Sequence, residues 1–191
     1  MKTLLRPFYN RSALLVAPEL LGKVLVHKFD GQTITGRIVE VEAYLADQDE
    51  AAHSFKGETK RTKSLFTKPG VAYLYSIHQQ VCFDVVCNVP TSVLIRALDP
   101  IEGIEFMKTA RVKENLKDLT SGPGKLTKAL GITKSLDGID LTSEDSELFL
   151  IDDGFKLDET LILKNKRIGI SKAKNFDYRF FIESQYLSRK N

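Results

Sequence analysis

Cysteine is scarce in this chain: Cys82 and Cys87 are all that 191 residues contain. If the segment between them is extended they stand roughly 16 Å apart, beyond disulfide reach, and there is no second pair to build a zinc site. They read as small apolar fillers. No apolar run approaches the ~18–20 residues of a transmembrane helix. The opening Met1-Lys2-Thr3-Leu4-Leu5-Arg6-Pro7 lacks the apolar stretch and cleavage site of a signal peptide, so a cytoplasmic location without membrane contact is expected. Repeats and low-complexity stretches are also absent, and residues 1–191 are expected to form one domain with a sizeable core. Excess charge is small, net +3 with a pI near 8.7. Gly122-Pro123-Gly124-Lys125-Leu126-Thr127 fails as a phosphate loop. Leu119 stands where its first glycine belongs, and Leu126 where Ser or Thr must hold magnesium. Neither cysteine nor any serine sits in a recognised nucleophile motif.

What charge there is has a pattern. Lys56, Lys60, Arg61, Lys63 and Lys68 cluster with one acid, Glu58. Asp137 to Glu159 carries nine acids and one base, whereas Thr160 to Asn191 carries eight bases and two acids. That layout suits a phosphate-facing side, and equally an ordinary solvated surface.

The most informative run is Gly36-Arg37-Ile38-Val39-Glu40-Val41-Glu42-Ala43-Tyr44, followed by Asp47, Asp49, Glu50 and His53. Its β-branched content predicts a strand. Alternation places Ile38, Glu40, Glu42 and Tyr44 on one face and Val39, Val41 and Ala43 on the other. Two carboxylates on one face need pairing or hydrogen bonds if buried. Around this strand, Lys23–Phe29 with an Asp30-Gly31 turn predicts a hairpin, and Gly36 a bulge. A short helix is expected from Pro18 to Gly22. Val71–Ile77 and Val81–Val86 form a second expected hairpin with tip His78-Gln79-Gln80. Val93–Leu98 reads as a strand, with a helix starting at Asp99-Pro100-Ile101-Glu102. Another helix starts after Ser121-Gly122-Pro123-Gly124 with Leu126, Ala129 and Leu130 inward. Short strands are expected at Leu148–Ile151, Leu161–Leu163, Arg167–Ile170 and Arg179–Ile182. Many strands with dispersed helices predict an α+β fold with a mostly antiparallel sheet.

At the level of residue types several chemistries stay open. Glu40, Glu42, Asp47, Asp49, Glu50 and His53 are oxygen-rich enough for magnesium or manganese, which would suit a metal-dependent phosphodiesterase, though without recognised ligand spacing. One buried carboxylate held ionised by Arg96 would instead serve as a general base toward water. Tyr44, Tyr75 and His53 suit either core packing or a box around a planar ligand. A non-catalytic nucleic-acid-binding module would use the basic loop and the tyrosines.

Read together in order, these segments resemble the alkyladenine (3-methyladenine) DNA glycosylase family. The resemblance rests on Arg37-Ile-Val-Glu-Val-Glu-Ala-Tyr44, Ala51-Ala-His-Ser54, Lys68-Pro-Gly70, Tyr73-Leu-Tyr75, Val93-Leu-Ile-Arg-Ala-Leu98, Pro100-Ile-Glu-Gly103, Ser121-Gly-Pro-Gly-Lys-Leu126 and Arg167-Ile-Gly-Ile170. It implies a compact α+β domain with a curved sheet, surrounding helices and a protruding DNA-binding hairpin. It implies a monofunctional, monomeric glycosylase without metal or cofactor. Such an enzyme flips alkylated or deaminated purines (3-methyladenine, 7-methylguanine, hypoxanthine, ethenoadenine) out of double-stranded DNA and hydrolyses the N-glycosidic bond in base-excision repair. By position it implies Glu42 as the base activating water and Arg96 as its partner. Tyr44, Ala51, His53, Tyr75 and Asp84 would line the base pocket, and His78 would intercalate. Two residues depart from the family pattern: Val41 replaces Thr, and Asp84 stands where Asn is usual. An ionised Asp accepts hydrogen bonds and cannot donate them, which bears on substrate range.

Overall fold

A computed structural model describes residues 1–188. Nine strands order as β1-β7-β2-β3-β6-β5-β4, with β9 pairing β3 and β8. They are β1 (Lys2–Thr3), β2 (Val24–Phe29), β3 (Gln32–Tyr44), β4 (Ala72–Ile77), β5 (Gln80–Val86), β6 (Ser92–Glu102), β7 (Leu148–Asp152), β8 (Leu163–Asn165) and β9 (Arg179–Phe181). Every pairing among them is antiparallel. The helices are α1 (Arg6–Tyr9), α2 (Ala13–Leu20), α3 (Ile104–Arg111) and α4 (Pro123–Leu130). The sheet curls as a half-barrel, and the expected α+β class is what forms. The main core joins the helices to one sheet face through Tyr9, Leu20, Ile38, Phe83, Leu98, Met107 and Leu126, none of which reaches solvent.

Local chemistry explains most of the elements. Asp30 and Gly31 both take positive φ and join β2 to β3 as a two-residue turn, as expected. Pro123 opens α4, Gly131 closes it in the left-handed region, and Leu126, Ala129 and Leu130 form its buried face. The predicted bulge at Gly36 is present. A Cβ there would lie 2.9 Å from the Leu98 Cβ, so the close approach of β3 and β6 requires glycine.

Five expectations are corrected. The helix expected from Pro18 begins earlier: Ser12 caps α2 by accepting from the Leu14 amide, and Pro18 lies inside it, near its end. Asp99-Pro100-Ile101-Glu102 is not a helix start but the end of β6. Pro100, which has no N–H to give, falls beside the Gly36 bulge where the ladder is already broken, and α3 begins only after Gly103. The hairpin tip holds two residues, His78 and Gln79, because Gln80 pairs with Ile77. Leu161–Leu163 is not a strand: Asp158 accepts from the Thr160 amide and hydroxyl and closes a turn, and β8 starts at Leu163. Arg167–Ile170 is a loop, with Gly169 at φ +79° and the Arg167 side chain drawn inward.

The simple alternation of β3 also fails at one point, with consequences for the site. Ile38 pairs with Leu98 and Glu40 with Ala97, so Val39 is an extra residue on β3. Val41 then pairs with Ile95, so Arg96 is an extra residue on β6. Two opposed bulges restore the register. They put Ile38 in the main core with Val41 and Ala43 rather than beside the acids, while Val39 packs on Ala97 and Tyr186. Bulges of this kind re-aim side chains, and here Glu40 and Arg96 come face to face.

Candidate active site

A cavity of about 660 Å³ lies between β4, β5, β6, the loop before β4, the α4 N-terminus and the 168–172 loop. Tyr44, Ala51, His53, Tyr75, His78, Asp84 and Arg96 all line it. Of the expected site residues only Glu42 does not. It has no solvent exposure and sits directly behind Tyr44 and Arg96.

Glu42 and Glu40 are the centre of a fully buried polar cluster. The Glu42 Oε1 accepts from the Ile168 amide at 2.7 Å. Its Oε2 accepts from the Tyr44 hydroxyl at 2.8 Å and lies 3.2 Å from Arg96 Nη1. The Arg96 Nε reaches Glu40 Oε1 at 3.1 Å, and Arg179 Nε reaches the same oxygen at 2.7 Å. Two carboxylates with no solvent exposure and two nearly buried guanidiniums therefore balance, the arrangement that makes buried charge tolerable. Burial raises the Glu42 pKa, and Arg96, the Ile168 amide and the Tyr44 hydroxyl oppose that rise.

The aromatic wall is built from β4 and the preceding loop. Tyr73 and Tyr75, two residues apart on β4, stack at 4.9 Å. His53 meets Tyr75 edge-on at 4.5 Å, and its Nδ1 is 3.0 Å from the Tyr73 hydroxyl. Burial and the nearby Arg61 lower the His53 pKa to about 4, so the imidazole is neutral at neutral pH. The Arg61 guanidinium lies 5.8 Å from the Tyr75 ring centre.

Asp84 pairs across β5 with Tyr73 and Leu94 and is nearly buried. Its Oδ2 accepts from the Ser92 hydroxyl at 2.7 Å, whereas its Oδ1 has no partner. Burial raises its pKa to about 7 against the Ser92 hydrogen bond and the nearby Tyr75 hydroxyl, with Glu42 adding to the rise. The Asp84 carboxyl thus keeps its proton to higher pH than an exposed Asp, and in that form it can donate.

His78 is exposed at the hairpin tip, on the cavity rim. The neighbouring Gln80 presses on the α4 N-terminus, where a Cβ on Gly124 would meet Gln80 Oε1 at 2.0 Å and Cβ at 2.7 Å. Glycine at 124 is what lets the start of β5 and the helix touch. Lys125 and Lys172 line the rim. Lys68, from the expected basic cluster, is diverted into an ion pair with Asp140 at 2.9 Å.

The profile of the methylpurine-DNA glycosylase (MPG) family matches residues 7–186. The chain belongs to this family. A relative from Desulfitobacterium hafniense (strain Y51) is 44% identical, covering 100% of both chains. One from Clostridium perfringens (strain SM101 / Type A) is 41% identical over 97% of this chain and 98% of its own. One from Francisella tularensis subsp. tularensis (strain FSC 198) is 42% identical over 91% and 92%. All three bear the name "Putative 3-methyladenine DNA glycosylase". By class a methylpurine-DNA glycosylase is a hydrolase that acts on DNA. Among the described residues no helix is long and apolar enough to cross a membrane.

The acids that left a metal-dependent reading open are separated in this glycosylase. Glu40 and Glu42 face arginines. Asp49 is clasped by Arg167 at 2.5 and 2.7 Å, and Asp47 and Glu50 stand exposed. Among the described residues no three His, Cys, Asp or Glu side chains converge as ligands. Sequence reasoning missed the Arg167–Asp49 pair, whose guanidinium also donates to the Ala43 carbonyl at 2.9 Å and lies 4.5 Å from the Tyr44 ring centre. It also missed the Ile168 amide on Glu42 and the Ser188 contacts on Glu40. The signal for the first two is Arg167-Ile-Gly-Ile170, one of the matching segments, whose sequence predicts a strand but which folds as a loop onto β3.

Proposed function

We propose that this chain is a monofunctional, monomeric glycosylase that needs neither metal nor cofactor and works at the nucleoid. It flips an alkylated or deaminated purine from double-stranded DNA into the 660 Å³ cavity and hydrolyses its N-glycosidic bond. Tyr44, Ala51, His53 and Tyr75 would hold the flipped base, the electron-poor rings of 3-methyladenine and 7-methylguanine gaining from the aromatic faces. Hypoxanthine and ethenoadenine belong to the same group of substrates. His78 would fill the gap in the duplex.

Breaking the bond builds positive charge on the sugar. Glu42 would stabilise that charge and take a proton from the attacking water, with Arg96 holding it ionised. The observation that carries this reading is the placement of Glu42: one side-chain layer beneath an aromatic cavity, with both oxygens oriented. Because Tyr44 occupies Oε2, water reaches the carboxylate as that hydroxyl gives way, a rearrangement that a bound nucleotide would drive. Asp84, which lines the cavity and keeps its Oδ1 buried without a partner, would bias which purine stays.

The test is excision from duplexes carrying hypoxanthine, ethenoadenine or methylated purines, followed by alkaline cleavage of abasic sites. Glu42→Gln should lose at least about 100-fold in single-turnover rate while still binding lesion DNA. Equal rates for the two proteins would remove Glu42 from the mechanism.

A further inference from the structure

We infer that Ser188 is a positioning residue for the reaction, the end of a C-terminal clasp that sets Arg96 against Glu42; this rests on the proposed role of Glu42. After β9 the chain continues along β3, where the Ile182 amide donates to the Val39 carbonyl at 3.1 Å. Tyr186 then packs on Val39 and Ala97, directly over the paired bulges. This brings Ser188, itself nearly buried, down onto the charged cluster and onto the cavity wall.

Ser188 satisfies both acid and base there. Its amide donates to Glu40 Oε2 at 2.7 Å, and its hydroxyl donates to Glu40 Oε1 at 2.7 Å. The same hydroxyl accepts from Arg96 Nη2 at 3.0 Å and Nε at 3.3 Å. A guanidinium is a rigid plane. Fixing its Nε and Nη2 edge therefore fixes where Nη1 points, and Nη1 is the nitrogen facing Glu42. Glu40 is the other half of the clamp: it holds Ser188 and Arg96 at once and never needs to meet DNA. The structural demand for two opposed bulges is explained as well, since without them Arg96 would not present its edge to the clasp.

The experiment compares Ser188→Ala, Ser188→Thr and Glu42→Gln with the wild type. The readouts are single-turnover excision of hypoxanthine across pH, lesion-duplex affinity, and thermal unfolding. Ser188→Ala is expected to slow excision by between about tenfold and a hundredfold, with affinity within about threefold of wild type. With Arg96 slack, Glu42 is less well held ionised, so the acid limb of the rate profile should move up by about half a pH unit. Ser188→Thr, which keeps the hydroxyl, should restore both. Should Ser188→Ala fail to fold, Ser188→Cys keeps the shape while weakening the hydrogen bonds, and the same rate loss and limb shift are expected of it. Wild-type rate and profile in Ser188→Ala, with Glu42→Gln inactive, would overturn the clasp and leave Glu42 standing. A rate loss without movement of the acid limb would reduce Ser188 to a packing residue. Full activity in Glu42→Gln would overturn both.

Discussion

Replacing Asp84 by Asn removes a titration while nearly preserving shape. In the folded protein the Asp84 pKa is about 7 against the model-compound value of 3.8, chiefly because burial disfavours the charge. The sign is the reverse of the usual carboxylate. Below pH 3.8 both folded and unfolded chains carry the proton and nothing is lost. Between 3.8 and 7 only the folded chain keeps it, so stability falls as pH rises, at about 1.4 kcal/mol per unit. Above 7 the full penalty applies, about 4 kcal/mol over the roughly three units between the two values. Asn can accept the Ser92 hydrogen bond with its carbonyl and carries no charge, so Asp84→Asn should escape this penalty. At pH 8.5 the variant should melt higher by about 10 °C, taking 2–4 °C per kcal/mol for a chain of this size, whereas at pH 5 the gap should shrink to about 3 °C. Differential scanning calorimetry across that range gives the answer. Parallel melting curves at all pH values would refute a buried, proton-bearing Asp84.

Other outcomes follow from the same coordinates. Tyr44→Phe opens Glu42 Oε2 to water but gives up a hydrogen bond that favours the carboxylate; the two oppose, and excision should change less than about threefold. Tyr44→Ala removes the proposed stacking face and should cost tenfold or more in lesion affinity, at roughly 1–3 kcal/mol per stacked base; gel-shift titrations distinguish the two. Asp49→Ala leaves the Arg167 guanidinium buried and unpaired, which should lower stability by about 3–5 kcal/mol in urea unfolding. Gly124→Ala forces Gln80 and the hairpin tip away from α4. It should cost about 1–3 kcal/mol and weaken duplex binding, both readable by thermal shift and fluorescence anisotropy.

Much of this molecule was legible in its sequence because the information is local. Asp30-Gly31 specifies its turn, Pro123 and Gly131 bracket a helix, and the acids of β3 lie two residues apart on one strand. What was hidden is non-local. The side on which Ile38 falls depends on Val39 and Arg96 being extra residues on partner strands about sixty residues apart, and nothing in either strand alone announces it. Asp99-Pro100 carries a good helix-start pattern, but β6 pairing overrides it up to Glu102. The Arg167–Asp49 and Ser188–Glu40 contacts join residues 118 and 148 positions apart. A sequence pattern of one arginine or one serine in a polar stretch gives no hint of such a partner. The expected pocket residues follow conspicuous motifs and line one cavity, yet the sequence could not say that Glu42 lies behind the cavity wall rather than on it.

The turn joining β4 to β5 has His78 at φ +46° and Gln79 at φ +66°, a conformation for which Asn-Gly is the favoured pair. Residues with a Cβ hold such angles at a cost of order 1 kcal/mol or more each. The protein therefore carries a strained loop at the one place where a ring would meet the double helix. Grafting Asn-Gly at these two positions should yield a hairpin that is easier to form and a fold that melts higher, yet one that grips lesion DNA less well. Stability and repair would pull in opposite directions at this turn.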